Sequence, residues 1–439
     1  MPPDPIRFPL RSPALLLCCL VVFGSIARTV AEPSGLRAGL GKVDITPDRP
    51  VRMGGYESRK DPSLGVHDPL GARALALEEN GQRLVLVSID TLGFYNETAE
   101  PLRRGILDEC NLKPSELFLC AIHTHSAPIL TFDIEKARAN AEYTSKLGTQ
   151  LIQVVRTALE KLEPVQASVC FGSSPVGVNR REVVQQSPTN SKVVLGRNPW
   201  RMTDREVQVL KLVRADAGKP EGVMFAYPTH STSLGPKNYL ISGDIHGIAE
   251  QFLEHYFGEN FVAPGFAGAS GNIDPWVRVL PDFRATNGWV PEPVLLGTLL
   301  GEEVARVLEG PQILLTNYTV RSQLRTVTLP GKGIEGAEPS TNSTAPINVT
   351  IARVGEIAFV GWGGEIFNEV GQAVKKASPF RYTFILTHCN GAAGYLPTRE
   401  SYPEGGYEVE SSRFGPGAAE GLIDTTVRML RDLHDSDSK

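Results

Sequence analysis

The sequence predicts an α/β protein: a layered mixed sheet flanked by helices, with its functional site at the carboxyl ends of strands. Three observations carry this. Apolar runs of strand length alternate along the chain with amphipathic stretches of helical period. No internal repeat or heptad interrupts the alternation. Polar residues suited to metal or proton chemistry, namely Asp90, His123, His125, His230, Asp274, Glu365, His388 and Asn390, all follow the ends of apolar runs, where open α/β sheets place their ligand crevice.

The elements follow in order. "RLVLVSID" (83–90) reads as a strand and leads into a helical stretch ending at Cys110, after which "LFLCAIHTH" (117–125) is the next strand. The amphipathic run 143–162 reads as a helix, and "GVMFAYPTH" (222–230) as a strand. "DIHGIAEQFLEHYFG" (244–258) sets Ile245, Ile248, Phe252 and Tyr256 near helical spacing and precedes "NFVAPGFAGASGNIDP" (260–275). A helix around 295–308 follows, then "EIAFVGWGGE" into "IFNEVGQAVKK", then "YTFILTHCNGAAGY", and a last helix over about 418–433. Two segments break the rhythm. Residues 175–199 are polar and punctuated by Pro and Gly, as expected of a long loop over a site; residues 312–346 read as extended chain followed by an exposed loop.

The chain has 439 residues, 41% hydrophobic and 21% charged, with a net charge of −5. It is long enough for a substantial core. With no basic stripe, nucleic acid is excluded as an expected partner, and no stable protein partner is indicated. At the N-terminus Arg7 and Arg11 precede the apolar run 14–27, and "TVA" ending at Ala31 offers a small-residue cleavage site. That order is expected of a signal peptide over 1–31, with 32–439 as one catalytic domain in a secreted or periplasmic protein.

Removing the leader removes Cys18 and Cys19 and leaves Cys110, Cys120, Cys170 and Cys389, with no Cys-x-x-Cys unit. Two readings stand: Cys110 and Cys120 close a short disulfide loop, or the thiols are core residues. Asn96, Asn317, Asn342 and Asn348 lie in glycosylation sequons.

In an extended chain His123 and His125 point the same way, so two imidazoles sit side by side at a strand end. Neutral imidazole is a common metal ligand. Together with His230 and a carboxylate such as Glu365, they make an N/O donor set suited to Zn²⁺. The glycines of "GWGGE" allow a tight turn that places Glu365 at a helix start, where its charge is favourable.

At these residues the chain resembles the neutral/alkaline non-lysosomal ceramidase family, over residues 35 to 416. The resemblance rests on "AGLGKVDITP" with "GGY" and "GVHDPLGARALALE", on "HTHSAP", on "THSTSLGPKNYLISGD", on "GGE", and on "GYLPTRESYPEGGYEVESSRFGP". It implies a catalytic zinc held by His123, His230, Glu365 and Tyr395, with His125 and Tyr407 facing the substrate. It also implies a family arginine at Arg180 or Arg181. The chain ends soon after Gly415 and Pro416, so the family's C-terminal immunoglobulin-like domain is expected to be absent.

In one place the sequence departs from the pattern. Where the family carries a serine implicated in catalysis, this chain reads "GNIDP", with Asp274. Asp274 is then a general base, a metal ligand, a residue bonded only to its own glycine-rich turn, or the mark of a site that no longer cleaves ceramide. The function expected is an exported zinc-dependent hydrolase of amide bonds acting on a lipid or amide small molecule, in solution or at a membrane surface. Its catalytic residues would be His125, Asp274, Tyr407 and Arg180. The competing expectations are a metal-containing binding protein, and a zinc hydrolase of a non-sphingolipid amide or ester.

Overall fold

Three parallel strand pairs, each joined by a helix, form the core of the architecture. Gln82–Ile89 pairs with Leu117–Ala121 across the helix Ala99–Cys110; Pro220–Tyr227 pairs with Gly265–Ala267 across Asp244–Phe257; and Ile357–Trp362 pairs with Tyr382–Leu386 across Asn368–Ala377. These are the strands that the sequence shows as near-continuous apolar runs, because both faces are covered. Leu84 and Leu86 face one core while Val85, Val87 and Ile89 face another.

The computed structural model describes residues 35–214, 220–258, 260–277, 292–333 and 343–436, all within a compact unit spanning Pro33–Lys439. The expected leader, Cys18, Cys19 and the Asn342 sequon lie outside the described residues. Among the described residues no helix is long and apolar enough to cross a membrane.

The larger sheet runs in the order Gly265–Ala267, Pro220–Tyr227, Glu206–Arg214, Glu163–Ser173, Arg37–Asp44, Gly71–Glu79, Gln82–Ile89, Leu117–Ala121, with Ile313–Leu314 pairing off Glu163–Ser173. Its interior pairings are antiparallel. A second sheet has the order Val320–Pro330, Thr344–Val354, Ile357–Trp362, Tyr382–Leu386. Leu40, Leu86, Phe118 and Met224 of the first sheet pack against Phe359, Phe384 and Leu386 of the second. Helices cover the outer faces: Ala99–Cys110 and Ile134–Glu160 on one half of the large sheet, Asp244–Phe257 and Glu292–Glu309 on the other, and Asn368–Ala377 with Ala418–Asp435 on the second sheet. The result is a helix, sheet, sheet, helix stack.

Glycine lets one of these layers close. A Cβ on Gly39 would stand 2.1 Å from the Ala158 carbonyl oxygen, and one on Gly41 2.7 Å from that of Val154. The helix Ile134–Glu160, broken at Ala137, therefore lies directly on the backbone of Arg37–Asp44.

Several expectations are corrected. Residues 175–199 are not a loop: Arg181–Ser187 and Asn190–Leu195 form a hairpin, and Gly177–Asn179 pairs with Ile273–Pro275. Residues 312–346 hold the expected extended chain, with Ile313–Leu314 pairing with Glu163–Ser173 and Val320–Pro330 matching Thr344–Val354 along its length; the expected loop falls largely on residues 334–342, outside the described residues. The helix read over 143–162 begins at Ile134, where the Asp133 side chain accepts from Lys136 N at 3.1 Å as an N-cap. The Cys110–Cys120 disulfide is not formed. All four cysteines are free and buried, which is the core-thiol alternative.

Candidate metal centre

Each of the three parallel pairs ends in a residue of the candidate site. His123 follows Leu117–Ala121, His230 follows Pro220–Tyr227, Glu365 follows Ile357–Trp362, and His388 follows Tyr382–Leu386. The loops are stitched together at the backbone. Thr124 bridges Ser231 in parallel, His125 N donates to Ser231 O at 3.1 Å, and Cys120 bridges Cys389. Asn390, read from the sequence as a site candidate, acts as such a stitch. Its side chain accepts from Leu119 N at 3.0 Å and donates to Leu117 O at 2.7 Å, tying the two sheets. Asp90 likewise serves the fold, accepting from Gly71 N at 2.7 Å and standing 3.7 Å from Arg73.

His123 and His388 take positive φ, 61° and 51°. For residues with a Cβ this left-handed backbone is disfavoured by about 1–2 kcal/mol, and such strain concentrates at functional sites. It also alters the pairing argument. His123 and His125 meet not as same-face residues of a flat strand but across a turn, with ring centroids 4.9 Å apart and Nε2 atoms 3.3 Å apart.

The imidazoles are aimed from behind. His123 Nδ1 lies 2.6 Å from Leu92 O, and His230 Nδ1 lies 2.8 and 3.0 Å from Ser270 O and Ile273 O. A carbonyl oxygen can only accept, so both Nδ1 atoms carry a proton, and in the neutral ring each Nε2 presents a lone pair. Those lone pairs face Glu365 Oε2 at 3.3 and 3.4 Å, and that oxygen has no hydrogen-bond partner. Its fellow Oε1 is occupied by the Tyr95 hydroxyl at 2.8 Å. Burial pushes the His230 imidazole below its usual range, with Arg180 adding to the effect, and pushes His125 and His388 well below it. Two imidazole nitrogens and a carboxylate oxygen thus converge on one point, an arrangement that a bound cation satisfies. The donor set fits a divalent metal ion.

Two overlapping triads could hold an ion here. His123, His125 and His230 have ring nitrogens all within 4.8 Å of one another, while Glu365 Oε2 touches His123 and His230. His125 differs from the other two histidines: its Nδ1 is buried without a partner, so no backbone acceptor fixes its tautomer. Tyr395 pairs in register with Glu365. Burial and then the Glu365 charge push its phenol well above the usual range. The Tyr407 ring stands 5.6 Å from that of Tyr395, half-exposed at the rim. His388 stacks on His123 with centroids 3.9 Å apart.

Behind His230 lies a layer of buried ion pairs. Arg180 donates from Nε to Glu408 at 2.7 Å and from Nη1 to Asp274 Oδ1 at 3.1 Å, and Nη1 stands 3.3 Å from His230 Nε2. Arg181 faces away, toward Glu408, Glu404 and Gly405 O. Asp274 Oδ2 meets Arg197 at 3.4 Å. The structure thus places Asp274 among arginines, with both oxygens engaged, rather than on the turn that precedes it. Tyr95, Glu408 and His388 complete the surroundings. Sequence reasoning did not assign roles to them; Glu408 had one usable signal, its position next to Tyr407 in a segment already marked. A cavity of about 580 Å³ opens onto the site, walled by Met53, Leu92, Ile129 and Leu130 on its apolar side.

Residues 36–277 match the family profile described as neutral/alkaline non-lysosomal ceramidase, N-terminal. The neutral ceramidase of Pseudomonas aeruginosa is 26% identical over an alignment covering 92% of this chain and 72% of that protein. Neutral ceramidase 2 of Arabidopsis thaliana is 29% identical over 50% of this chain, a match spanning 30% of the plant protein's length. Among solved structures, the crystal structure of the Pseudomonas aeruginosa neutral ceramidase superposes with a TM-score of 0.74 at 21% identity, covering 91% of this chain and 75% of that one. A ceramidase complexed with C2 gives 0.73 at 20% identity, with the same coverage. At these identities the structural likeness is one of fold.

Proposed function

The chain belongs to the neutral/alkaline non-lysosomal ceramidase family, and from that premise we propose that it is an exported zinc-dependent amidohydrolase acting on N-acylsphingosine or a related lipid amide, with residues 32–439 as its catalytic unit. The observation that carries the reading is the convergence of His123 Nε2, His230 Nε2 and Glu365 Oε2 on one point. We assign these three as ligands, with Tyr395 as the fourth. His123 and His230 have their second nitrogen pinned by carbonyl oxygens, the usual outer arrangement of metal-bound histidine; His125 does not. Nitrogen and oxygen donors without thiolate suit Zn²⁺, which when bound supplies Lewis acidity toward water and the scissile carbonyl.

The chain's own groups do the rest. The apolar wall of the cavity holds an acyl chain and excludes water from it. Arg180, buried with its guanidinium carbon 5.4 Å from the centroid of the Tyr395 ring, contributes a fixed positive charge that favours negative charge developing on the carbonyl oxygen. His125 Nε2 and the Tyr407 hydroxyl flank the same space from the cavity side. Asp274, in the position of the family's serine, holds Nη1 of Arg180 and so aims the guanidinium.

The direct test is release of free sphingoid amine from N-dodecanoylsphingosine by the zinc-loaded chain against its metal-free form; no release from this or any other acyl amide would end the hydrolase reading. His125→Ala is expected to retain the metal and lose about 10²- to 10³-fold in rate. If elemental analysis finds that variant empty, His125 is a ligand and the division of roles is wrong. Export rests on the order of basic, apolar and small residues in 1–31. N-terminal sequencing of the expressed protein should begin near Glu32, and an intact Met1 in the cytosol would refute it.

A further inference from the structure

One wall of the cavity holds a buried cation with no anion beside it. Arg59 is 5% exposed and lines the cavity. Its Nη2 donates to the backbone oxygen of His125 at 2.9 Å, while Nε and Nη1 have no hydrogen-bond partner. The guanidinium carbon stands 5.0 Å from the centroid of the Tyr56 ring, which packs edge-on against His125 at 4.9 Å. The cation is therefore one ring away from the metal centre.

Four other buried arginines stand against carboxylates. Arg73 meets Glu250 and Glu254, Arg103 meets Glu100, and Arg180 and Arg181 share Glu408. A guanidinium taken out of water without a carboxylate is unfavourable, and burial accordingly lowers the affinity of Arg59 for its proton. Arg52 and Lys60 line the same cavity, and neither forms an ion pair among the described residues. Against these three cations the wall offers Glu57 and the metal-facing Glu365. The cavity is built with an excess of positive charge close to where bond cleavage is proposed to occur.

We infer that the substrate carries an anionic group near its scissile amide, and that Arg59 is the specificity-determining residue that pairs with it. The class this describes is an N-acyl amine whose amine portion bears a carboxylate or sulfonate, with the acyl chain along Leu92, Ile129 and Leu130. Guanidinium suits both, through charge-assisted hydrogen bonds. An uncharged sphingoid portion would leave Arg59 unpaired. The inference rests on the amidohydrolase reading and, within it, selects an anionic lipid amide in place of N-acylsphingosine.

The test uses three amides with one acyl chain: N-octanoylglycine, N-octanoyltaurine and the uncharged N-octanoylglycinamide. With the zinc-loaded full chain, kcat/KM for at least one anionic amide is expected to exceed that for the glycinamide by roughly tenfold to a hundredfold, the range of a charge-assisted hydrogen bond. The faster of the two then identifies the anion. In Arg59→Met that ratio should fall at least tenfold; a wild-type ratio near one, or a ratio unchanged by the substitution, overturns the proposal. Calorimetric titration of N-octanoylglycine into the metal-free chain separates this inference from the hydrolase reading. Binding tighter than that of the glycinamide, weakened in Arg59→Met and by added salt, supports the anion site even if no amide is cleaved. Equal binding of the two refutes it even if both are cleaved. Should Arg59→Met fail to fold, Arg59→Gln and the salt dependence of the wild type carry the same comparison.

Discussion

Replacing His123, His230 or Glu365 with alanine, one at a time, is expected to empty the metal centre and to lower amide hydrolysis by about a thousandfold or more, since the several kcal/mol a Lewis acid contributes to the transition state is lost with it. The three positions are predicted to behave alike because they come from three separate parallel strand pairs, so none can be replaced by a shift of its neighbour. Elemental analysis after dialysis is the primary readout, because activity alone would also fall if the fold were damaged. Glu365→Ala carries a second consequence: the Tyr95 hydroxyl loses its acceptor. Tyr95→Phe provides the control and should keep the metal. If Glu365→Ala stays loaded while His125→Ala empties, the ion sits on the three histidines whose nitrogens cluster most closely.

The parts of this site that were legible in the sequence are those that lie on strands buried on both faces. Leu117–Ala121, Pro220–Tyr227, Ile357–Trp362 and Tyr382–Leu386 stand out as apolar runs, and each delivers a polar residue at its end. Antiparallel strands were harder to see. Glu163–Ser173 and Glu206–Arg214 mix polar and apolar residues because their edges and faces differ in exposure, and Arg181–Ser187 is almost wholly exposed, so it reads as loop. Glu365 was expected at a helix start but lies on a short strand of its own, Glu365–Ile366, paired with Tyr395–Leu396 ahead of the helix. That pairing brings Glu365 and Tyr395 together over a separation of thirty positions, which no local pattern encodes. The same holds for Arg59: its identity is visible in the sequence, but the absence of a carboxylate beside it is a property of packing.

Glu408 is where the largest loss of stability is expected. Its carboxylate is fully buried and accepts from Arg180 Nε at 2.7 Å and from Arg181 Nη1 at 2.8 Å, so one anion serves two buried guanidinium groups. Breaking a buried ion pair from one side leaves an uncompensated charge, and Glu408→Gln is expected to destabilise the fold by about 3–5 kcal/mol. Urea unfolding of the metal-free chain measures this without the contribution of the bound ion. Arg181 keeps Glu404, and Arg180 keeps Asp274, so the damage should fall short of two full pairs. A double-mutant cycle with Arg180→Met makes the claim specific: the two substitutions together should destabilise by clearly less than their sum, since removing the cation relieves the charge that the first left behind. Strict additivity would mean that the pair is not coupled. Asp274→Asn, by contrast, keeps Glu408 on Arg180 and is expected to leave metal and fold nearly intact. If Asp274 only aims Arg180, its rate should fall no further than that of Arg180→Met, and the double substitution should add nothing. A fall of about 10²- to 10⁴-fold beyond Arg180→Met would instead assign proton transfer to Asp274 itself, because a residue that acts only through another cannot matter more than the residue it acts through.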